Sequence, residues 1–348
     1  MRYHLLGKHT GLRVSELALG TGAFGKGWGY GTDLEESGRI LGRYLDAGGN
    51  FIDTADSYQF GDSEEWLGKL ITSNRNDIVL ASKYTMGASA QGTLAGSGNS
   101  RKNMVMSLEA SLKRLNTDHL DIFWVHFSDN MTPGEEILRG FEDLARAGKI
   151  LYAGLSDFPA WRVSRMATLA ELRNSLPIAA IQVEHSLVQR STEHELLPMA
   201  DALGLATLAW SPLGGGMLTG KYRNGEKGRA EGLGGRVFQP ENSAQRTAIL
   251  DTVLAIASEK GATPGQVAIA WVAAKGSLPI IGPRTLAQLD DNLGAAELVL
   301  SIDEIARLDD ASAIAPIFPH SMINSEPLRN LATGGKLSQV HMPTQTVA

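Results

Sequence analysis

Eight short apolar runs, each followed by a longer stretch of helical period, constrain this chain more than any other feature. The runs are Leu17–Thr21, Phe51–Thr54, Ile78–Ser82, Leu120–His126, Ile150–Ser156, Ala179–Glu184, Ala206–Ser211 and Leu278–Gly282. Runs that are apolar on both faces suit strands buried on both sides, and helices between them imply parallel crossovers. Eight such units in 348 residues predict a closed (β/α)8 TIM barrel. Helix signals punctuate the pattern. Asp33, with Glu36 three residues on, reads as a capping box, and Gly48-Gly49 ends that helix. Thr132-Pro133-Gly134-Glu135 opens another with Pro at the first helical position, and Gly148 closes it. The opening segment, with Gly7 and Gly11 at turns, is expected to form a β-hairpin that plugs the barrel's N-terminal end. The whole chain, 1–348, reads as one barrel domain, with 313–348 an irregular tail able to fold over the opposite face.

Composition narrows the function. With zero cysteines the chain has no disulfide, no thiol catalysis, no zinc–cysteine site and no iron–sulfur cluster. Its 32 basic and 38 acidic side chains give a net charge of −6, which argues against nucleic-acid and anionic-membrane partners. The first residues carry no apolar signal-peptide core, and no apolar run is long enough to span a membrane. A cytoplasmic location is therefore expected.

Two glycine-rich stretches, Thr85–Ser100 and Gly214–Asn242, each follow the C-terminal end of a strand, where barrel active sites lie. Gly20-Thr21-Gly22-Ala23-Phe24-Gly25 fits the dinucleotide pattern G-x-G-x-x-G. That fingerprint needs a helix opening within it, and Lys26-Gly27-Trp28-Gly29-Tyr30-Gly31 cannot begin one. It reads instead as a loop where backbone comes close to a ligand. None of the seven tyrosines has Lys four residues later, so the central pair of a short-chain dehydrogenase is missing.

The stronger constellation is spread over consecutive strand ends. Asp53 closes the second run and Tyr58 follows five residues on; Lys83 lies just past the third and His126 ends the fourth. Each alone has an ordinary reading as a cap, a solvated cation or a hydrogen-bonded core group. Ionisable groups recurring at equivalent positions of successive units are better explained by one shared site. The chemistry that suits them is proton donation to a carbonyl. A phenol with a pKa near ~10 is a poor acid at neutral pH, and an adjacent ammonium favours the phenolate. Asp53 would hold Lys83 charged, and His126 would orient the substrate oxygen.

With these residues in view the sequence resembles the aldo-keto reductase superfamily over roughly 1–310. The resemblance rests on Asp53, Tyr58, Lys83 and His126, and on Gly20-Thr21-Gly22, Gly148-Lys149-Ile150, Gly154-Leu155-Ser156 and Gln182-Val183-Glu184. Ser211-Pro212-Leu213-Gly214-Gly215-Gly216, Leu218-Thr219-Gly220-Lys221 and Gly282-Pro283-Arg284 with Gln288 and Asn292 extend it. It implies metal-free reduction of an aldehyde or ketone with NADPH, or alcohol oxidation with NADP+, with Asp53, Tyr58, Lys83 and His126 as catalytic residues. By the same resemblance Ser156 and Gln182 hold the nicotinamide carboxamide, Gly22, Ala23 and Asp53 lie near the cofactor, and Trp210 stacks under the ring. Ser211, Leu213, Gly216, Leu218 and Lys221 resemble a loop covering the pyrophosphate. Gly282, Arg284, Gln288 and Asn292 resemble the adenosine end, with Arg284 suited to a 2′-phosphate.

Two positions depart from the pattern: Asp157 stands where many members have Asn beside the nicotinamide, and His185 where many have Tyr. Glu184, His185, Glu193, His194 and Glu195 lack a coherent metal-ligand spacing. Phe24, Trp28, Met86, Phe127 and Trp210 follow strand ends and are expected to wall a pocket for a bulky small-molecule carbonyl substrate. Two other classes fit a barrel of this kind: a non-catalytic, nicotinamide-sensing regulatory subunit, and a lyase or hydrolase that uses the carboxylates. The intact set of four favours the reductase.

Overall fold

A computed structural model of the chain describes residues 1–226 and 238–341. Two short strands, β1 (Tyr3–Leu5) and β2 (Arg13–Ser15), pair antiparallel as a hairpin. Eight further strands close into a barrel: β3 (Ala18–Gly20), β4 (Phe51–Asp53), β5 (Val79–Tyr84), β6 (Leu120–Val125), β7 (Ile150–Ser156), β8 (Ile178–Glu184), β9 (Ala206–Trp210) and β10 (Leu278–Ile281). Every neighbouring pair is parallel, and β10 returns to β3. This is the (β/α)8 barrel, and each of the eight runs supplies one strand.

The alternation of side chains along these strands divides the interior into two cores. Inward residues Phe51, Val79, Ala81, Ile122, Trp124, Ala180 and Leu208 fill the barrel, capped below by Leu6 and Val14 of the hairpin segment. Outward residues such as Ile52, Leu80, Phe123, Val125, Leu155 and Ile181 pack against the helices. Gly154 is required by this filling, because a Cβ there would lie 2.2 Å from the Trp124 ring.

The helices on the first half of the ring are α1 (Leu34–Asp46), α2 (Asp62–Leu70), α3 (Arg101–Leu115), α4 (Gly134–Arg146) and α5 (Ala160–Leu172). The second half has α6 (Leu196–Ala202), α7 (Ala244–Lys260), α8 (Pro264–Ala274), α9 (Leu286–Leu293) and α10 (Ile302–Ala311). The Asp33 side chain accepts from the Glu36 N–H at 2.9 Å, as an N-cap should. The reciprocal half of the box is absent: Glu36 instead accepts from the Leu286 N–H and binds Arg39, tying α1 to α9. Pro133 is the N-cap of α4, one residue before its expected place inside the first turn, and Gly148 ends the helix with φ 71°. The tail is less irregular than expected, since α11 (His320–Ile323) and α12 (Glu326–Ala332) interrupt it. It is tied to the loop after β8 through His320 Nε2 and Glu195 Oε1, 2.7 Å apart. Of the long stretch Gly214–Asn242, residues 227–237 lie outside the described residues. No helix among the described residues is long and apolar enough to cross a membrane.

Candidate active site

At the C-terminal rim the inward positions change character. Two residues above Phe51 stands Asp53, two above Ala81 stands Lys83, two above Trp124 stands His126, and two above Ala180 stands Gln182. Strand periodicity therefore delivers all four onto one rim. Lys83 and Asp53 are almost completely buried, with Nζ donating to Asp53 Oδ2 at 2.5 Å and to the Thr54 carbonyl at 2.9 Å. The third donation from Lys83 goes to the Tyr58 phenolic oxygen at 3.1 Å. Gln182 Nε2 donates to the other Asp53 oxygen at 2.9 Å, so that carboxylate is held from two sides. Burial works against the Lys83 ammonium, but the Asp53 charge and the Tyr58 oxygen outweigh it and hold its pKa above the usual lysine value.

His126 packs its ring edge-on to Tyr58, centroids 5.8 Å apart. Burial, and secondarily the Lys83 charge, push its pKa down to about 3, so the imidazole is neutral at physiological pH. Its Nδ1 is buried without a hydrogen-bond partner among the described residues. The result is a phenol with an ammonium at its oxygen and a neutral imidazole beside it. That arrangement can pass a proton to or from a substrate oxygen.

The loop after β3 reaches this cluster through a contact the sequence did not suggest. Gln59, fully buried with φ 54°, donates to the Gly22 carbonyl and accepts from the Trp28 N–H, both at 2.9 Å. This clamp brings the Trp28 ring edge-on to Tyr58 at 5.9 Å, with Tyr30 and Phe60 on its other sides. Met86 is exposed and Phe127 half-buried beside His126. Phe24 is different. Its side chain is fully buried in the core between barrel and helices, so it offers no surface to a pocket.

Further round the rim Ser156 and Gln182 are register partners on β7 and β8, and the Ser156 hydroxyl is buried without a hydrogen-bond partner among the described residues. Asp157 follows with φ 49° and accepts from the Trp210 indole N–H at 3.1 Å. Asp157 is exposed on its outer side, but the protein packed around its carboxyl pushes its pKa up to about 6, opposed by the indole bond. Ser211, also left-handed at φ 53°, begins a tight turn over Leu213–Thr219. Leu218 points into the core, whereas Lys221 crosses Gly216, where a Cβ would fall 2.7 Å from its Nζ. Burial lowers the Lys221 pKa, and the nearby Arg284 charge lowers it further. Arg284 follows Gly282 and Pro283 after β10; its N–H donates to Gln288 Oε1 at 2.9 Å, and Asn292 is buried one turn further along α9.

The acid–histidine run that lacks metal-ligand spacing takes part in a structural network. His185 is buried against the Trp271 ring, with its Nε2 3.0 Å from Glu193, which also binds Arg190. Among the described residues no group of three His, Cys, Asp or Glu side chains converges as a metal site. A cavity of about 850 Å³ opens at the other end of the molecule, lined by Lys8, Leu17, Asp201, Lys275 and Ser277. None of the rim residues lines it, so the chemistry of the rim locates the site.

A closed barrel carrying a buried acid–base cluster at its C-terminal rim is the build of a barrel enzyme acting at a substrate oxygen. The chain belongs to the aldo/keto reductase family, whose sequence model matches residues 16–313. It is 35% identical over 343 residues to norsolorinic acid reductase A of Aspergillus parasiticus, covering 95% of this chain and 86% of that protein. It is 37% identical over 321 residues to the uncharacterized oxidoreductase YrpG of Bacillus subtilis, covering 89% of this chain and 95% of that one. Aldo-keto reductase ausK of Emericella nidulans is 33% identical over 346 residues, or 94% and 85% of the two chains. The protein is an oxidoreductase, and carbonyl reduction is the chemistry its family and relatives support.

Proposed function

We propose that this chain reduces an aldehyde or ketone to the alcohol with NADPH, reversibly, with Tyr58 as general acid in reduction and general base in oxidation. The observation that carries the reading is the Lys83 ammonium 3.1 Å from the Tyr58 oxygen and itself bound to Asp53. A cation there stabilises the phenolate left when Tyr58 gives up its proton. Asp53, buried and doubly held, keeps Lys83 charged and aimed. His126, neutral and beside Tyr58, donates an N–H to the carbonyl oxygen and orients it.

A nicotinamide dinucleotide, when bound, supplies or accepts the hydride. Fit to such a cofactor is supported by the unpartnered buried Ser156 hydroxyl beside Gln182, which suits a carboxamide. The closeness of the Lys221 and Arg284 cations suits phosphate, and Arg284 is the residue proposed to favour NADPH over NADH. Ser156, Asp157, Gln182 and Trp210 would hold the nicotinamide end, Gly22, Ala23 and Asp53 would lie near it, and Ser211, Leu213, Gly216, Leu218 and Lys221 would cover the pyrophosphate. Gly282, Arg284, Gln288 and Asn292 would take the adenosine end. Trp28, Met86, Phe127 and Trp210 are the proposed substrate wall. Norsolorinic acid reductase A and aldo-keto reductase ausK, both named as reductases, accord with the reductive direction.

The test is consumption of NADPH and NADH against a panel of small aldehydes and bulky ketones, in wild type and Tyr58→Phe. NADPH is expected to be preferred. Tyr58→Phe is expected to lower turnover by about 10²–10⁴-fold with NADPH affinity largely spared. Turnover within tenfold of wild type would remove Tyr58 from the role.

A further inference from the structure

We propose that Gln59 is a positioning residue for substrate choice: its side-chain amide fixes the Trp28 loop against the Tyr58 ring, and the preference for bulky over small carbonyl compounds depends on it. The inference rests on the reading above, in which Tyr58 gives the proton and Trp28 walls the substrate. What is new is the group that joins the two.

The loop that carries Trp28 has little stiffness of its own, because glycine fills positions 22, 25, 27, 29 and 31. Its ends are fixed to the barrel and to each other: the Thr21 N–H donates to the Asp53 carbonyl at 3.0 Å, and the Thr32 N–H to the Ala23 carbonyl at 2.8 Å. Its middle is held by Gln59. One end of that amide donates to the Gly22 carbonyl and the other accepts the Trp28 N–H, both at 2.9 Å. The fit is close, since a Cβ at Gly25 would fall 2.6 Å from the Gln59 Cβ, and one at Gly27 would fall 2.4 Å from its carbonyl oxygen. Gln59 and Phe60 both stand in the left-handed region, at φ 54° and 56°. That conformation is unfavourable for residues with side chains and persists where the surroundings hold it.

Gln59 is the residue directly after Tyr58, so the turn that presents the phenol also presents the amide. Tyr58 and Phe60, on either side of it, both meet the half-buried Trp28 ring edge-on, at 5.9 and 6.5 Å. The amide itself is fully buried, so water is not at hand to replace either bond if it is removed. A side chain with both a donor and an acceptor is required, because the two loop groups it meets are a carbonyl and an N–H. With the amide in place the wall is formed before substrate arrives, and binding does not have to order it. A ring-bearing substrate that lies against Trp28 gains from that order, whereas a two-carbon aldehyde at Tyr58 does not reach the wall.

The experiment compares kcat/KM for 2-naphthaldehyde and acetaldehyde, which share the reacting group and differ in the ring, in wild type, Gln59→Met, Trp28→Ala and the double variant. Gln59→Met keeps the length and removes both bonds. It is expected to lower the naphthaldehyde-to-acetaldehyde ratio about tenfold, through KM for the larger aldehyde. With Trp28 already cut to Ala, Gln59→Met is expected to change the ratio by less than about twofold, because the group it positions is gone. Gln59→Glu, which keeps the acceptor for Trp28 and lacks the donor when ionised, serves if the Met variant does not fold, and is expected to shift the ratio in the same direction by less. Hydrogen exchange reads the clamp without any substrate: the Trp28 amide is expected to be protected in wild type and to exchange at least about tenfold faster in Gln59→Met. Equal losses on the two aldehydes, a tenfold shift that persists in the Trp28→Ala background, or an unprotected Trp28 amide in wild type would each overturn this inference and leave the proposed function standing. Wild type that consumes NADPH with neither aldehyde nor any ketone would overturn both.

Discussion

The two ends of the barrel are built from the same strands and do opposite things. At the N-terminal end the inward positions of β4, β5 and β6 carry Phe51, Val79 and Ile122, closed over by Leu6 and Val14 with no exposed surface. At the C-terminal end the same files of side chains carry Asp53, Lys83 and His126. Below, burial is favourable at about 25 cal/mol per Å² of apolar area. Above, two charges are taken out of water, and their attraction roughly offsets that loss only while both partners are present. Stability is thus gathered at one end and spent at the other, where the geometry serves chemistry.

The largest test of that contrast is to remove one partner of the buried pair. Lys83→Met leaves Asp53 buried without its cation, and is expected to cost about 3–5 kcal/mol in denaturant unfolding along with turnover. Replacing both, as Asp53→Leu with Lys83→Met, is expected to recover most of that stability and none of the activity. A double variant as unstable as the single one would mean the pair holds the barrel together. Next in size is the lower end: Leu6→Ala should cost about 2–5 kcal/mol through the cavity it leaves. Well below its melting point that variant should keep wild-type turnover and cofactor affinity, and a large drop in either would break the separation of the two ends.

How much of this was legible in the sequence follows from the same files. A period of two along runs such as Phe51-Ile52-Asp53 and Ala81-Ser82-Lys83 fixes which residues face inward, so the strands and the meeting of Asp53, Lys83 and His126 could be read directly. Features that depend on loops docking on one another could not. Gln59 sits at a left-handed turn with no pattern to mark it, and its clamp on Gly22 and Trp28 exists only once two loops meet. Phe24 looked like a pocket wall because it follows a strand end, but its loop turns the ring into the helix-facing core. Likewise Glu36 gives up its capping-box bond because α9 lies close enough to offer the Leu286 N–H.

The smallest expected effect refines the contrast, because the upper end also carries an acid that its neighbours compensate only in part. Asp56 is 1% exposed, and neither carboxyl oxygen has a hydrogen-bond partner among the described residues. Its N–H donates to the Lys83 carbonyl at 3.1 Å, which seats it directly against the strand that carries the cluster. Nearby Glu64 is already bound to Ser82 and Arg114, so the arginine's charge is shared. Burial first, and then the Glu64 charge, push the Asp56 pKa up to about 7 from 3.8. A raised folded-state pKa means that the folded protein holds this proton more tightly than the unfolded chain does. Its favourable contribution is complete below about pH 4 and is lost as pH rises to about 7, roughly 4 kcal/mol in all and some 2–3 kcal/mol of it above pH 5. Asp56→Asn removes the titration while keeping the shape. The difference in unfolding free energy between variant and wild type should therefore swing in favour of the variant by about 2–3 kcal/mol from pH 5 to pH 8. Other titrating groups are common to both proteins and drop out of that difference. Two stability curves that stay parallel across this range would show that Asp56 is ionised in the fold, and that the upper end has found a partner for every charge it buries.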